Sequence, residues 1–124
     1  MNAHSLAHRA YAAKNAPTRS TRSVEYEVIA RITHKLKETA ERGPAAFPDL
    51  AQALHENLEL WTVLAADVSD PGNGLPKDLR ARIFFLAQFT RQHGPKVLSG
   101  EATVAPLLEI NTAVLRGLRQ GAQT

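Results

Sequence analysis

The chain contains no cysteine, so disulfides, thiolate nucleophiles and cysteine metal sites are all excluded, and nothing in it needs oxidation to fold. Aromatic residues are scarce at 6%, with a single tryptophan, Trp61. An interleaved set of stacking aromatics and cations, as single-stranded nucleic-acid binders use, is therefore missing. No apolar run reaches the length of a membrane span or of a signal-peptide core, so neither export by that route nor membrane insertion is expected. Strand-like alternation of apolar and polar residues is absent, and no segment repeats another. The composition is 44% hydrophobic and 22% charged, the balance of a folded globular chain. Its 124 residues fit one domain, spanning 1–124.

The net charge of +3 is unevenly spread. Residues 1–43 carry a net +4, residues 44–75 a net −5 with no lysine or arginine at all, and residues 76–124 a net +4. An acidic middle between basic flanks suits helices that attract their neighbours within one bundle.

The apolar pattern is helical throughout. Residues 3–14, alanine-rich and containing Tyr11, fit a short helix or an arm reaching to residue 18. After several candidate caps in Thr18–Ser23, Val24, Val28, Ile29, Ile32 and Leu36 recur at helical spacing up to Gly43-Pro44. Glu25 and Glu27 near the start, with Lys35, Lys37 and Arg42 near the end, match the helix dipole. A second helix is predicted from Pro48 or Asp49 to about Ser69. On it Leu50, Leu54, Asn57, Trp61, Leu64 and Val68 fall on one side, and the turn signal Asp70-Pro71-Gly72-Asn73-Gly74 comes directly after. A third helix should begin at Pro76, with Leu79, Ile83, Leu86 and Thr90 inward, Phe85 and Phe89 on a flank, and Phe84 nearly opposite the inner side. Gly94-Pro95 is expected to end or kink it, and Ser99-Gly100 to close the connection. Val104, Leu108, Asn111, Leu115 and Leu118 define a last helix, with a frayed tail over 119–124. The fold class is all-α, a small bundle of four helices with room for a short N-terminal fifth.

Chemical motifs are thin. His55-Glu56 resembles the start of the zinc-hydrolase helix H-E-x-x-H, but position 59 is Glu59 rather than histidine. His4 and His8 lie one helical turn apart near the chain end, where solvated side chains are the expected state. Gly72-Asn73-Gly74 lacks the lysine and strand of a phosphate loop, and no serine stands in a nucleophile elbow. No enzymatic activity, metal or cofactor is expected.

The most unusual placements are two asparagines on apolar stripes. A buried amide without partners costs on the order of 1–3 kcal/mol, so Asn57 and Asn111 should each find a hydrogen bond, and a register-setting pair is the favoured reading. Trp61 on the same stripe is expected in the core, with an acceptor for its indole N–H. Asn57, Trp61 and Asn111 are therefore the predicted structural centre. Leu60, Val63, Phe84 and Phe85 lie off the centres of their stripes. They are the predicted partner-binding residues, an apolar patch suited to another helix.

In order along the chain, Leu54-His55, Asn57, Leu60-Trp61, Leu64-Ala65, Asp67, Asn73-Gly74-Leu75-Pro76, Leu79-Arg80-Ala81, Ile110-Asn111 and Gly117-Leu118 resemble the FlaF family of alphaproteobacterial flagellar biosynthesis proteins. The likeness starts at about His8-Arg9-Ala10-Tyr11 and covers most of the chain. The Thr18–Ser23 run departs from it in lacking a proline. The resemblance implies a cytoplasmic, non-enzymatic factor that binds flagellin as a secretion chaperone and couples flagellin synthesis to export. It also implies action alongside FlbT, a post-transcriptional regulator of flagellin messenger RNA. The alternative is direct binding of that RNA, with Arg19, Arg22, Arg80 and Arg82 as phosphate contacts.

Overall fold

The computed structural model describes the backbone of residues 21–123 and the side chains of residues 25–117. The N-terminal helix or arm, with His4, His8, Tyr11 and Arg19, lies outside the described residues. Among those described there are four helices and no strand: α1 (Thr21–Glu41), α2 (Phe47–Ser69), α3 (Lys77–Leu98) and α4 (Ala105–Gln123), with a short 3-10 turn at Pro44–Ala46. The all-α bundle inferred from periodicity is the fold. No described helix is long and apolar enough to cross a membrane.

In α1 the periodic residues Ile29, Ile32 and Leu36 are buried, and Thr39 joins them because its hydroxyl donates to the Lys35 carbonyl at 2.7 Å. Satisfying its own polar group locally lets a threonine enter the core. The helix starts earlier than its dipole pattern suggested. With Thr21 as its first residue, Glu25 falls beyond the first turn, and Arg42 lies just past the end. Gly43 then adopts φ +82°, a left-handed conformation that favours glycine, and Pro44 prevents the helix from resuming.

The reversal after α2 is built by the side chains the sequence singled out. Asp70 accepts from the Gly72 N–H at 2.9 Å, Asn73 accepts from the Leu75 N–H at 2.9 Å, and the Asn73 amide donates to the Asp67 carbonyl at 3.1 Å. The first two are Asx turns, in which a short polar side chain replaces a backbone partner. Pro76 occupies the N-cap of α3, where the missing N–H has no consequence.

Gly94-Pro95 does not end α3: the helix runs on to Leu98, with Pro95 inside it. The clash that bars a helix before proline involves the Cβ of the preceding residue, and Gly94 has none. The helix closes at Ser99, whose N–H donates to the Pro95 carbonyl at 3.0 Å, and at Gly100 with φ +80°. Helix α4 likewise passes residue 118, beyond which the sequence suggested a frayed tail, and continues to Gln123.

Packing places α1 between α4 and α2, and α2 between α1 and α3, while α3 and α4 meet only slightly. Three apolar clusters fill the interior. Leu36, Ala53, Leu54, Val97 and Leu107 form one end; Trp61, Val68, Ile83 and Ala87 the other; Ile29, Ile32 and Leu60 the α1 side. Ion pairs between the basic end of α1 and acidic α2, Lys35–Glu56 at 3.0 Å and Arg42–Asp49 at 3.1 Å, match the charge pattern. Being exposed, each contributes on the order of 1 kcal/mol or less.

Candidate partner groove and its polar floor

The three residues predicted to form the centre meet. The indole N–H of Trp61 donates to Asn111 Oδ1 at 2.9 Å, and Asn111 Nδ2 donates to Asn57 Oδ1 at 2.9 Å. The same Nδ2 donates to Thr33 Oγ1 at 3.0 Å, whose hydroxyl donates to the Ile29 carbonyl at 2.7 Å. One chain of hydrogen bonds thus ties α1, α2 and α4 together inside the apolar clusters. Thr33 was not anticipated. Its signal was present, since it stands four residues after Ile29 and next to Ile32, on the edge of the buried row.

This chain also fixes which way each amide faces. An indole can only donate, so Asn111 must turn its oxygen to Trp61 and its nitrogen to Asn57, which must in turn offer its oxygen. Asn57 Nδ2 is left over: it is buried and has no hydrogen-bond partner, although Asn57 as a whole is only 1% exposed.

Asn57 stands in the wall of a groove of about 170 Å³ between α2 and α3. Leu54, Leu58, Pro95, Leu98 and Leu107 make it apolar, and Ala51 and Gly94 keep it open by their small size. Thr90 adds no free hydroxyl, since its Oγ1 donates to the Leu86 carbonyl at 2.9 Å. Phe84, Arg91 and Leu98 recur every seven residues, one row along the α3 flank of this groove. On α2, Phe47 precedes Ala51 by one turn. Phe47, Phe84 and Leu98 are all exposed apolar side chains.

The four predicted partner-binding residues do not form one patch. Phe84 is 44% and Phe85 70% exposed, but Leu60 and Val63 are each only 9% exposed and belong to the core. Helix α2 has a neighbour on either side, so both flanks of its apolar stripe are covered, and Leu60 packs with Ile29 and Ile32 of α1. Phe84 and Phe85, about 100° apart around α3, also face different directions. Of the two, only Phe84 shares a helical row with the groove-lining Arg91 and Leu98. Leu79, expected inward, is exposed in the first turn of α3.

The polar cleft between α1 and α2 is lined by Arg31, His34, Lys35, His55, Glu56 and Glu59 among others. Several of its groups pair with one another: His55 Nε2 lies 2.6 Å from Glu59 Oε1, and Lys35 bonds Glu56. Position 59, where a zinc-hydrolase helix would carry its second histidine, is thus the partner of the first. Among the described residues no three His, Asp or Glu side chains converge as a metal site would require. Of the arginines considered for RNA, Arg80 and Arg82 point about 200° apart around α3, and Arg19 and the Arg22 side chain lie outside the described residues.

No match was found among curated proteins or among solved structures. A family model does match: flagellar protein FlaF, over residues 7–118. The matched stretch takes in all four helices up to the last turns of α4, together with the asparagine pair, Trp61 and both walls of the groove, and the chain belongs to the FlaF family of flagellar proteins.

Proposed function

We propose that this chain is a cytoplasmic, non-enzymatic flagellum biogenesis factor that binds flagellin as a secretion chaperone and, through its bound or free state, couples flagellin synthesis to export. Membership of a flagellar protein family supports the setting. The observation that carries the binding role is the open, largely apolar groove between α2 and α3, whose wall includes the exposed Leu98 and whose α3 row continues to the exposed Phe84. Exposed apolar surface of this kind marks interaction sites, and a groove between helices is suited to the apolar face of another helix. A flagellin's terminal segments are helices of that kind, which must be kept apart until export. Action alongside FlbT would result if the two proteins respond to the same flagellin pool.

Purified chain and flagellin should co-elute in size-exclusion chromatography at micromolar concentration; separate peaks reject the reading. Burial of apolar surface should hold that complex together in moderate salt. Direct messenger RNA binding would instead fall steeply with salt and with arginine substitution.

A further inference from the structure

The charges on either side of the groove are matched unevenly. Helix α2 has no lysine or arginine, and three of its carboxylates are taken up on the side facing α1: Asp49 by Arg42, Glu56 by Lys35, and Glu59 by His55. Helix α3 is the reverse. It carries Lys77, Arg80, Arg82, Arg91 and Lys96 against Asp78 alone, and none of these cations has a carboxylate partner among the described residues. Arg80, Phe84, Arg91 and Leu98 follow one row along α3, so two of the cations alternate with two exposed apolar side chains. Arg91 and Leu98 line the groove, and no aspartate or glutamate does. Arg80 is half-buried, with its Nε enclosed and unbonded, so this charge is partly withdrawn from water without an anion to offset it. A purely apolar helix laid along the row would desolvate both guanidinium groups further and give nothing in return. A helix edged with lysine would be repelled, whereas one edged with carboxylates would be matched in sign.

We propose that the groove between α2 and α3 receives an acid-edged amphipathic helix, whose apolar side chains enter between Leu58 and Leu98 and whose carboxylates pair with Arg91 and Arg80. The two arginines are eleven residues apart, three turns of α3 or roughly 16 Å. A partner helix running alongside α3 therefore meets both with acidic residues about eleven positions apart on one edge of its apolar stripe. The apolar contacts hold the complex, and the charges select the partner and speed its approach. The inference deepens the flagellin-binding reading and rests on it for the identity of the partner, but the preference for an acidic edge stands on the groove and the α3 row alone.

The test uses the full chain and a labelled, designed amphipathic helix of about 20 residues, long enough to hold its fold, with a leucine stripe edged by two glutamates eleven positions apart. Affinity is read by fluorescence anisotropy. Replacing both glutamates by glutamine keeps the shape and removes the charge; it should weaken binding about fivefold or more at low ionic strength, a gap that narrows as salt rises. Arg91→Glu, at an exposed position, should weaken binding of the glutamate helix and improve binding of one of the two helices in which a single glutamate is lysine. That exchange also gives the orientation of the helix, and a folding defect would not produce it; thermal unfolding of the variant confirms its fold. Equal affinity for the glutamate and glutamine helices, absence of the lysine exchange, or no binding of any helix overturns the proposal, and the first result needs no altered protein. A single-stranded RNA oligonucleotide is the competing polyanion: if it displaces the helix and loses its own binding in Arg91→Glu, the cations are phosphate contacts and the proposal is likewise overturned. The parent chain and Arg91→Glu are then each mixed with flagellin. Flagellin held equally by both leaves the chaperone reading intact and removes this groove as its site. A designed helix that needs its glutamates, beside flagellin that does not bind, leaves the groove's preference and removes flagellin.

Discussion

Asn111 has more tied to it than any other described side chain. It accepts from Trp61 and donates to both Asn57 and Thr33, so three residues on two other helices depend on it for their polar groups. Asn111→Ala would open a cavity and strand the indole N–H of Trp61 and the Oδ1 of Asn57. Together these losses should cost about 3 kcal/mol or more, read as a lower midpoint in urea unfolding followed by circular dichroism. Thr33→Val is the milder change. It removes one acceptor, leaves Asn111 bonded to Asn57 and Trp61, and should cost about 1 kcal/mol. A reversed ranking would mean that the link to α1, rather than the Asn111 amide, organises the interior. The asparagine pairing was legible in the sequence because two amides fell on apolar rows where neither could remain unpaired. Thr33 was not, because a threonine beside an apolar row reads equally well as one that bonds its own helix.

At the scale of elements, the informative case is α3, which contains its proline instead of stopping at it. Pro95→Ala would restore an N–H for the Arg91 carbonyl and replace the poorest helix former by the best. It should therefore raise stability by about 1–3 kcal/mol, measured by thermal unfolding. Dipeptide signals were legible where side chains themselves built the structure, as Asp70 and Asn73 do in the turn. Gly94-Pro95 did not end the helix because the clash of a proline ring with the preceding residue's Cβ is missing where that residue is glycine. Leu60 and Val63 were placed wrongly for a different reason. The periodicity of one helix gives the direction of its stripe but not how many neighbours cover it, and α2 has two. Leu107, buried to 1% exposure at the floor of the groove, was likewise passed over for its neighbour Leu108.

At the scale of the whole molecule, the two sides of the bundle differ in how fully their surface is matched. The α1 and α2 side is tied by Lys35–Glu56 and Arg42–Asp49, whereas Arg80, Arg82 and Arg91 on α3 form no ion pair among the described residues. The exposed apolar residues are concentrated toward α3 as well, with Leu79, Phe84, Phe85 and Leu98 all on that helix. Phe84 and Phe85 are adjacent in sequence yet face differently, so the pair can report which face a partner uses. Phe84→Glu places a carboxylate on the α3 row that runs on into the groove and should weaken flagellin binding about tenfold or more, as loss of an aromatic anchor does. Phe85→Glu alters the outward side and should leave affinity within about twofold, since contacts away from an interface centre contribute little. Both side chains are substantially exposed, so each variant should unfold within about 0.5 kcal/mol of the parent. Isothermal titration with flagellin, run beside thermal unfolding of the same preparations, separates the two effects. Equal losses from both substitutions would mean that the partner wraps α3 from outside, and a loss confined to Phe85→Glu would move the binding face off the groove altogether.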